Sequence, residues 1–240
     1  MDTPSKPLPG VGSLLSESWK LFTSTWNTSV KTSALLLIAP ALTLAFGLVV
    51  RDKMSNIPLL IVFAIVQGII FLWASIRLML TMLNLEGGKP VMAPGEESQK
   101  AMSLLLSFCW IAFLVGLVTL GATLLLILPG IYFNTALTFS ALILLDQGKR
   151  GTQALAASRA LVKGRWWDTF LNIFVAGIVF GLPIALLSNA VGSMMFFFTR
   201  TNTQFTVDAV NFVSYLVVAA TMPLIMGFQI KLYRALQRTR

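Results

Sequence analysis

Between Pro58 and Leu85 the chain carries a single charged side chain, Arg77, in an otherwise apolar run long enough to make about 42 Å of helix. A segment of that length and character spans a bilayer, because a helix satisfies every backbone polar group internally and presents only apolar side chains to lipid. Further apolar segments lie on both sides of it, at about residues 30–50, 102–128, 131–145, 166–199 and 209–230. With 56% hydrophobic and 11% charged residues, no water-soluble domain of ordinary composition accounts for the whole. The expectation is an all-α, polytopic transmembrane bundle of about six spans arranged as three hairpins, occupying residues 13–240 behind a disordered tail at 1–12.

Two amphipathic helices are predicted outside the spans. Ser13 is read as the cap of the first, over about 13–26, where Leu14, Leu15, Ser18, Leu21 and Phe22 recur at helical spacing and Trp19 and Trp26 sit at headgroup depth. The second covers about 152–164, with Ala154, Leu155, Ser158, Leu161 and Val162 on one side and Arg159 and Lys163 on the other. Leu15, Ser18, Leu21 and Trp26 match Leu155, Ser158, Leu161 and Trp166 at a constant offset, which suggests an internal repeat of interfacial helix plus hairpin. Both helices are expected to lie along the membrane surface.

Prolines and glycines punctuate the spans. Pro40 is expected to kink the first span, and Arg51–Asn56 to turn the chain toward the second. The linker around Glu96 and Glu97 should open the next helix near Ser98. Pro129-Gly130 reads as a tight turn between the third and fourth spans, the fourth being only about 22 Å long against a core of about 30 Å, so the hairpin tip is recessed. Pro183, Asn189 and Gly192 offer places to bend the overlong fifth span. Gly177 and Gly181 form a small-xxx-small pair that ordinarily lets a neighbouring helix, from the same chain or another copy, approach closely.

The charge distribution orients the chain. Six spans with both termini on one side give that side 15 of the 18 basic residues, leaving Arg51, Lys53 and Arg200 on the other. The positive-inside rule then places the termini in the cytosol and the protein in the cytoplasmic membrane. Short hairpins that re-enter without crossing would keep most of this bias, so four spans remain open beside six. The same rule explains the net charge of +9 better than a nucleic-acid partner does. On the basic face Lys149, Arg150, Arg159, Lys163 and Arg165 are the candidates for anionic lipid headgroups, with Trp166 and Trp167 fixing depth.

Catalytic chemistry finds little material. Histidine is absent and Cys109 is the only cysteine, so neither a disulfide framework nor a His/Cys metal site forms within one chain, and no cofactor is expected. Asp146, Asp168 and Arg165 could meet at the inner face and handle a headgroup, but ion pairing is the simpler role. Arg77, near the inner end of its span, either snorkels to the interface or faces a polar pathway of a small transporter or channel. The reading is a non-catalytic membrane module, with lipid and other membrane proteins or further copies as its partners.

One stretch carries a resemblance. Leu128-Pro129-Gly130-Ile131-Tyr132, then Asp146 and Gly148, then Ala154-Leu155, Ser158 and Leu161-Val162-Lys163-Gly164-Arg165-Trp166-Trp167 resembles the bacterial and archaeal family named after the membrane domain of glycerophosphoryl diester phosphodiesterase. Ser18-Trp19-Lys20-Leu21-Phe22 with Trp26, and Tyr233 before a basic tail, are similar to its weaker landmarks. The resemblance implies a six-helix membrane module of unassigned role. Family members often carry an arginine about where Ala136 falls, so if that arginine does polar work, this chain does without it or uses Arg77. The family's catalytic partner is a soluble barrel with histidines and metal-binding carboxylates, which this chain does not contain.

Overall fold

The computed structural model describes residues 8–49, 57–199 and 204–239; the expected turn at Arg51–Asn56, most of the tail at 1–12 and the start of the loop at Arg200 lie outside them. The protein is an all-α, multi-pass membrane bundle with six segments long and apolar enough to cross a bilayer. The first helix, α1 (Val11–Ser24), begins before the expected cap: the Ser13 amide bonds the Gly10 carbonyl, and the Ser13 hydroxyl donates back to it at 2.7 Å. Gly10 is therefore the cap position, and Ser13 lies inside the first turn.

The first span comprises α2 (Trp26–Ser33), a 3-10 turn at Ala34–Leu37 and α3 (Ile38–Val49). The irregularity falls just before Pro40, because a proline has no N–H for the carbonyl four residues back, here Leu36, and its ring crowds that turn. The chain returns as α4 (Ile57–Glu86). Gln67 of α4 crosses to the first span, its amide donating to the Ala39 carbonyl at 3.0 Å and the Thr43 hydroxyl at 2.5 Å.

Next, α5 (Pro94–Leu125) opens four residues before Ser98, with Pro94 in the first turn, where its missing N–H costs nothing, and with Glu96 and Glu97 at the positive end of the helix. The turn after it is at Leu126, whose backbone is extended (φ −161°, ψ 146°), and not at Pro129-Gly130. Pro129 and Gly130 instead lie in the first turn of α6 (Ile127–Leu137). Gly130 is required by proximity: a Cβ there would come within 3.1 Å of the Thr123 Cα on α5. This is the closest glycine-mediated helix approach among the described residues.

The fourth segment is interrupted at Thr138 and Phe139 and resumes as α7 (Ser140–Gln147). Gly148, with φ +69°, closes α7 in the left-handed conformation that only glycine adopts without strain. Then α8 (Gly151–Val162) folds back against α5, α6 and α7. The bundle is completed by α9 (Trp166–Thr199) and α10 (Gln204–Arg238). Pro183 does not break α9, nor do Asn189 and Gly192, and α10 takes in both the polar residues before Ala209 and most of the basic tail.

Both amphipathic helices turn their apolar sides to protein instead of lipid. Leu14, Ser18 and Phe22 of α1 are buried, mainly against α10, while Ala154, Ser158 and Val162 of α8 are buried against the α5–α7 region. The three buried positions of α1 thus correspond to three of α8 at the offset of the proposed repeat (158 − 18 = 140). Ser158 is fully enclosed at the interruption between α6 and α7. Its hydroxyl donates to the Ala136 carbonyl at 2.8 Å and accepts from the Phe139 N–H at 3.2 Å, replacing backbone bonds that the break removes.

The middle hairpin departs from a simple up-and-down path. At the start of α9 the Trp166 indole donates to the Tyr132 carbonyl at 3.2 Å, and the two rings stack at 5.6 Å. Arg165, next in line, donates to the Thr239 carbonyl at 2.6 Å, beyond the end of α10. Tyr132 is five residues from the start of α6, about 8 Å along its axis, so the turn at Leu126 lies within about 20 Å of Trp166. Gln204, at the far end of α10, is about 50 Å from Thr239.

Candidate functional site

Three helices converge on a set of ion pairs. Glu86 is the last residue of α4 and Asp146 the last but one of α7, both at the negative end of a helix dipole, where a carboxylate is disfavoured. Cations from α10 offset this. Arg234 embraces Asp146 with two bonds of 2.8 and 2.9 Å and also donates to Glu86 at 3.2 Å, while Lys231 reaches Glu86 at 3.4 Å. Between them the buried Tyr233 hydroxyl donates to Asp146 and accepts from the Gln147 amide, both at 2.9 Å. This network therefore joins α4, α7 and α10.

In the sequence, Lys231 and Arg234 flank Tyr233 in what reads only as a basic tail. The available signal was the spacing of Lys231 and Arg234, which places both on one face of α10, opposite acidic residues that end two other helices. The proposed grouping of Asp146, Asp168 and Arg165 does not form: Asp146 takes Arg234 and Tyr233, Arg165 takes Thr239, and Asp168 stays exposed in the first turn of α9.

Arg77 is also explained by a partner. It donates to Glu97 from Nε at 3.3 Å and Nη2 at 3.0 Å, and its guanidinium lies 5.0 Å from the centre of the Trp73 ring. The Thr81 hydroxyl donates to the other Glu97 oxygen. Glu97 is buried, and Arg77 neutralises this carboxylate, which the start of α5 brings against α4.

The remaining candidates separate into two groups. Lys149, Arg150, Arg159 and Lys163 are all exposed, and none joins an ion pair among the described residues; Arg159 stands 5.9 Å from the centre of the Phe133 ring. Trp167 is exposed as well, and Arg150 lines a cavity of about 610 Å³ with Trp110, Ser107 and Thr152. Trp166 is partly buried by Tyr132 and Phe170, so only Trp167 of the pair is largely free to meet an interface. Trp19 and Trp26 are exposed as well, flanking the break between α1 and α2.

Gly177 and Gly181 meet no neighbouring helix of the same chain among the described residues. A Cβ at either would touch nothing within 4 Å, and both line a cavity of about 220 Å³ between α9 and α10, with Phe180, Phe228 and Gln229. Polar groups at span depth gather elsewhere. A cleft of about 460 Å³ beside α3, α4 and α10 is lined by Thr43, Gln67, Asp208, Asn211, Ser214 and Tyr215. No group of three or more metal-ligating side chains occurs among the described residues.

Set against known proteins, the chain matches no family model, no curated protein and no solved structure.

Proposed function

We propose that the protein is a non-catalytic membrane module, of the kind its resemblance to the phosphodiesterase membrane-domain family implies, that gathers anionic lipid at a basic face. The observation that carries this reading is the division of the cations. Arg77, Lys231 and Arg234 are consumed by internal carboxylates, whereas Lys149, Arg150, Arg159 and Lys163 project from the α7–α8 region without acidic partners among the described residues. Each contributes about 1 kcal/mol of attraction to an anionic surface, and the exposed Trp167 supplies an amphipathic ring. The positive-inside rule supports placing this face and both termini in the cytosol, with the protein in the cytoplasmic membrane.

The test is retention of lipid. Purified protein exchanged into mixed micelles of phosphatidylglycerol and phosphatidylcholine should keep the anionic lipid preferentially when examined by native mass spectrometry. Replacing Lys149, Arg150, Arg159 and Lys163 by glutamine should abolish the preference. Equal retention by the two proteins refutes the reading.

The polar cleft at Gln67, Asn211 and Ser214 favours a second reading, a small transporter, because polar groups in a membrane span ordinarily line a route for polar solutes. Solute release from proteoliposomes that is slowed by Ser214→Leu would favour this reading over the first.

A further inference from the structure

We infer that the α5–α6 hairpin is re-entrant: its tip ends among the acyl chains of the leaflet that faces the termini, so only four segments complete a crossing. Three independent contacts place it there. The Trp166–Tyr132 hydrogen bond keeps the turn at Leu126 within about 20 Å of the start of α9, less than the 30 Å of a hydrocarbon core. The Arg165–Thr239 bond ties the start of α9 to the end of α10 where the chain terminates. Arg159, exposed and charged, stands over Phe133, the neighbour of Tyr132. A solvated guanidinium belongs at the interface, so this part of α6 lies near headgroups and not at the opposite surface.

The tip has the surface that such a position requires. Leu124, Leu125, Leu126, Ile127 and Leu128 are between 68% and 81% exposed, the longest consecutive run of highly exposed apolar side chains among the described residues. Such a patch is unfavourable in water, and no other element among the described residues covers it. Lipid acyl chains are the occupant, because Lys149, Arg150, Arg159 and Lys163 stand on the adjoining α8 region at headgroup level and set the leaflet to which the tip belongs. The Leu126 turn exposes little backbone to oil, since its N–H bonds the Ala122 carbonyl at 3.0 Å and its carbonyl accepts the Gly130 N–H. The inference concerns apolar burial and does not depend on lipid selection by the cations.

Single cysteines in a Cys109→Ser background provide the test: Leu126→Cys at the tip, Lys163→Cys on the basic face and Val207→Cys near the far end of α10. Reconstituted protein is treated with a membrane-impermeant maleimide from each side, then spin-labelled for depth measurement against oxygen and a nickel chelate. Lys163→Cys and Val207→Cys should react from opposite sides, and Leu126→Cys from neither. The label at residue 126 should collide more with oxygen than with nickel, at a depth in the leaflet of residue 163. Reaction of Leu126→Cys from the Val207 side, or a depth in that leaflet, overturns the inference in favour of six crossings. Protection from both oxygen and nickel also overturns it, because the tip would then be covered by protein.

Discussion

Ser158→Ala isolates the device that holds the fourth segment together. The hydroxyl is fully enclosed and serves two backbone groups at the break between α6 and α7, the Phe139 N–H and the Ala136 carbonyl. Alanine removes one oxygen without a steric clash, leaving a buried donor without its partner and a carbonyl without the hydroxyl. At about 1–3 kcal/mol for each of the two buried polar groups left unpaired, the expected loss is about 2–6 kcal/mol. Ser18 is the internal control: it is equally enclosed and occupies the matching position of α1, but its hydroxyl donates only to Leu15 of its own helix, at 2.8 Å. A hydroxyl bonded back to its own helix contributes little, and alanine is the better helix former, so Ser18→Ala should cost less than about 1 kcal/mol. The assay is reversible unfolding in mixed micelles titrated with a denaturing detergent, together with amide exchange across residues 136–140. Ser158→Ala should lower the midpoint and speed exchange in that stretch, and Ser18→Ala should do neither. Equal shifts for the two serines would refute the assignment of Ser158 as a bridge across the break.

Removing either partner of the buried Arg77–Glu97 pair, by Arg77→Met or Glu97→Leu, should cost about 3–5 kcal/mol, because the other charge is left buried. The double variant should be more stable in the same unfolding assay than either single one, and additive losses would show that the pair does not act as a unit. Gly130→Ala should destabilise the α5–α6 hairpin by about 1–3 kcal/mol through its approach to Thr123, detected as a lower melting temperature in detergent. Gly177→Ala with Gly181→Ala should leave stability unchanged or slightly raised, since the added methyls meet nothing and alanine favours helix. A loss above about 1 kcal/mol from that double variant would show that a second copy packs there.

The sequence alone determined the solvent and the class of fold. Backbone polar groups in oil must be paired within a segment, so apolar runs of this length become helices wherever they lie. It also located the second and fifth spans closely, the α8 helix, and the pairing of Ser18 with Ser158 as matching positions. Local rules failed where tertiary contacts decided. Pro129-Gly130 has turn chemistry, yet the turn is at Leu126, because proline is equally suited to the first turn of a helix and glycine was needed there for contact with Thr123.

Hydropathy likewise does not distinguish a crossing from a re-entry, since both need the same apolar residues; the re-entry inferred for the α5–α6 hairpin rests on contacts of Trp166, Arg165 and Arg159 with distant elements. Nor could it sort cations that neutralise a buried carboxylate from cations left to meet the outside. Arg77 and Arg234 look like Arg159 and Lys163 in sequence, and only the folding of α4, α5, α7 and α10 against one another brought Glu97, Glu86 and Asp146 within bonding distance of the first two. Composition fixed the medium in which this chain exists, whereas charge pairing across helices fixed which of its surfaces remains available to act.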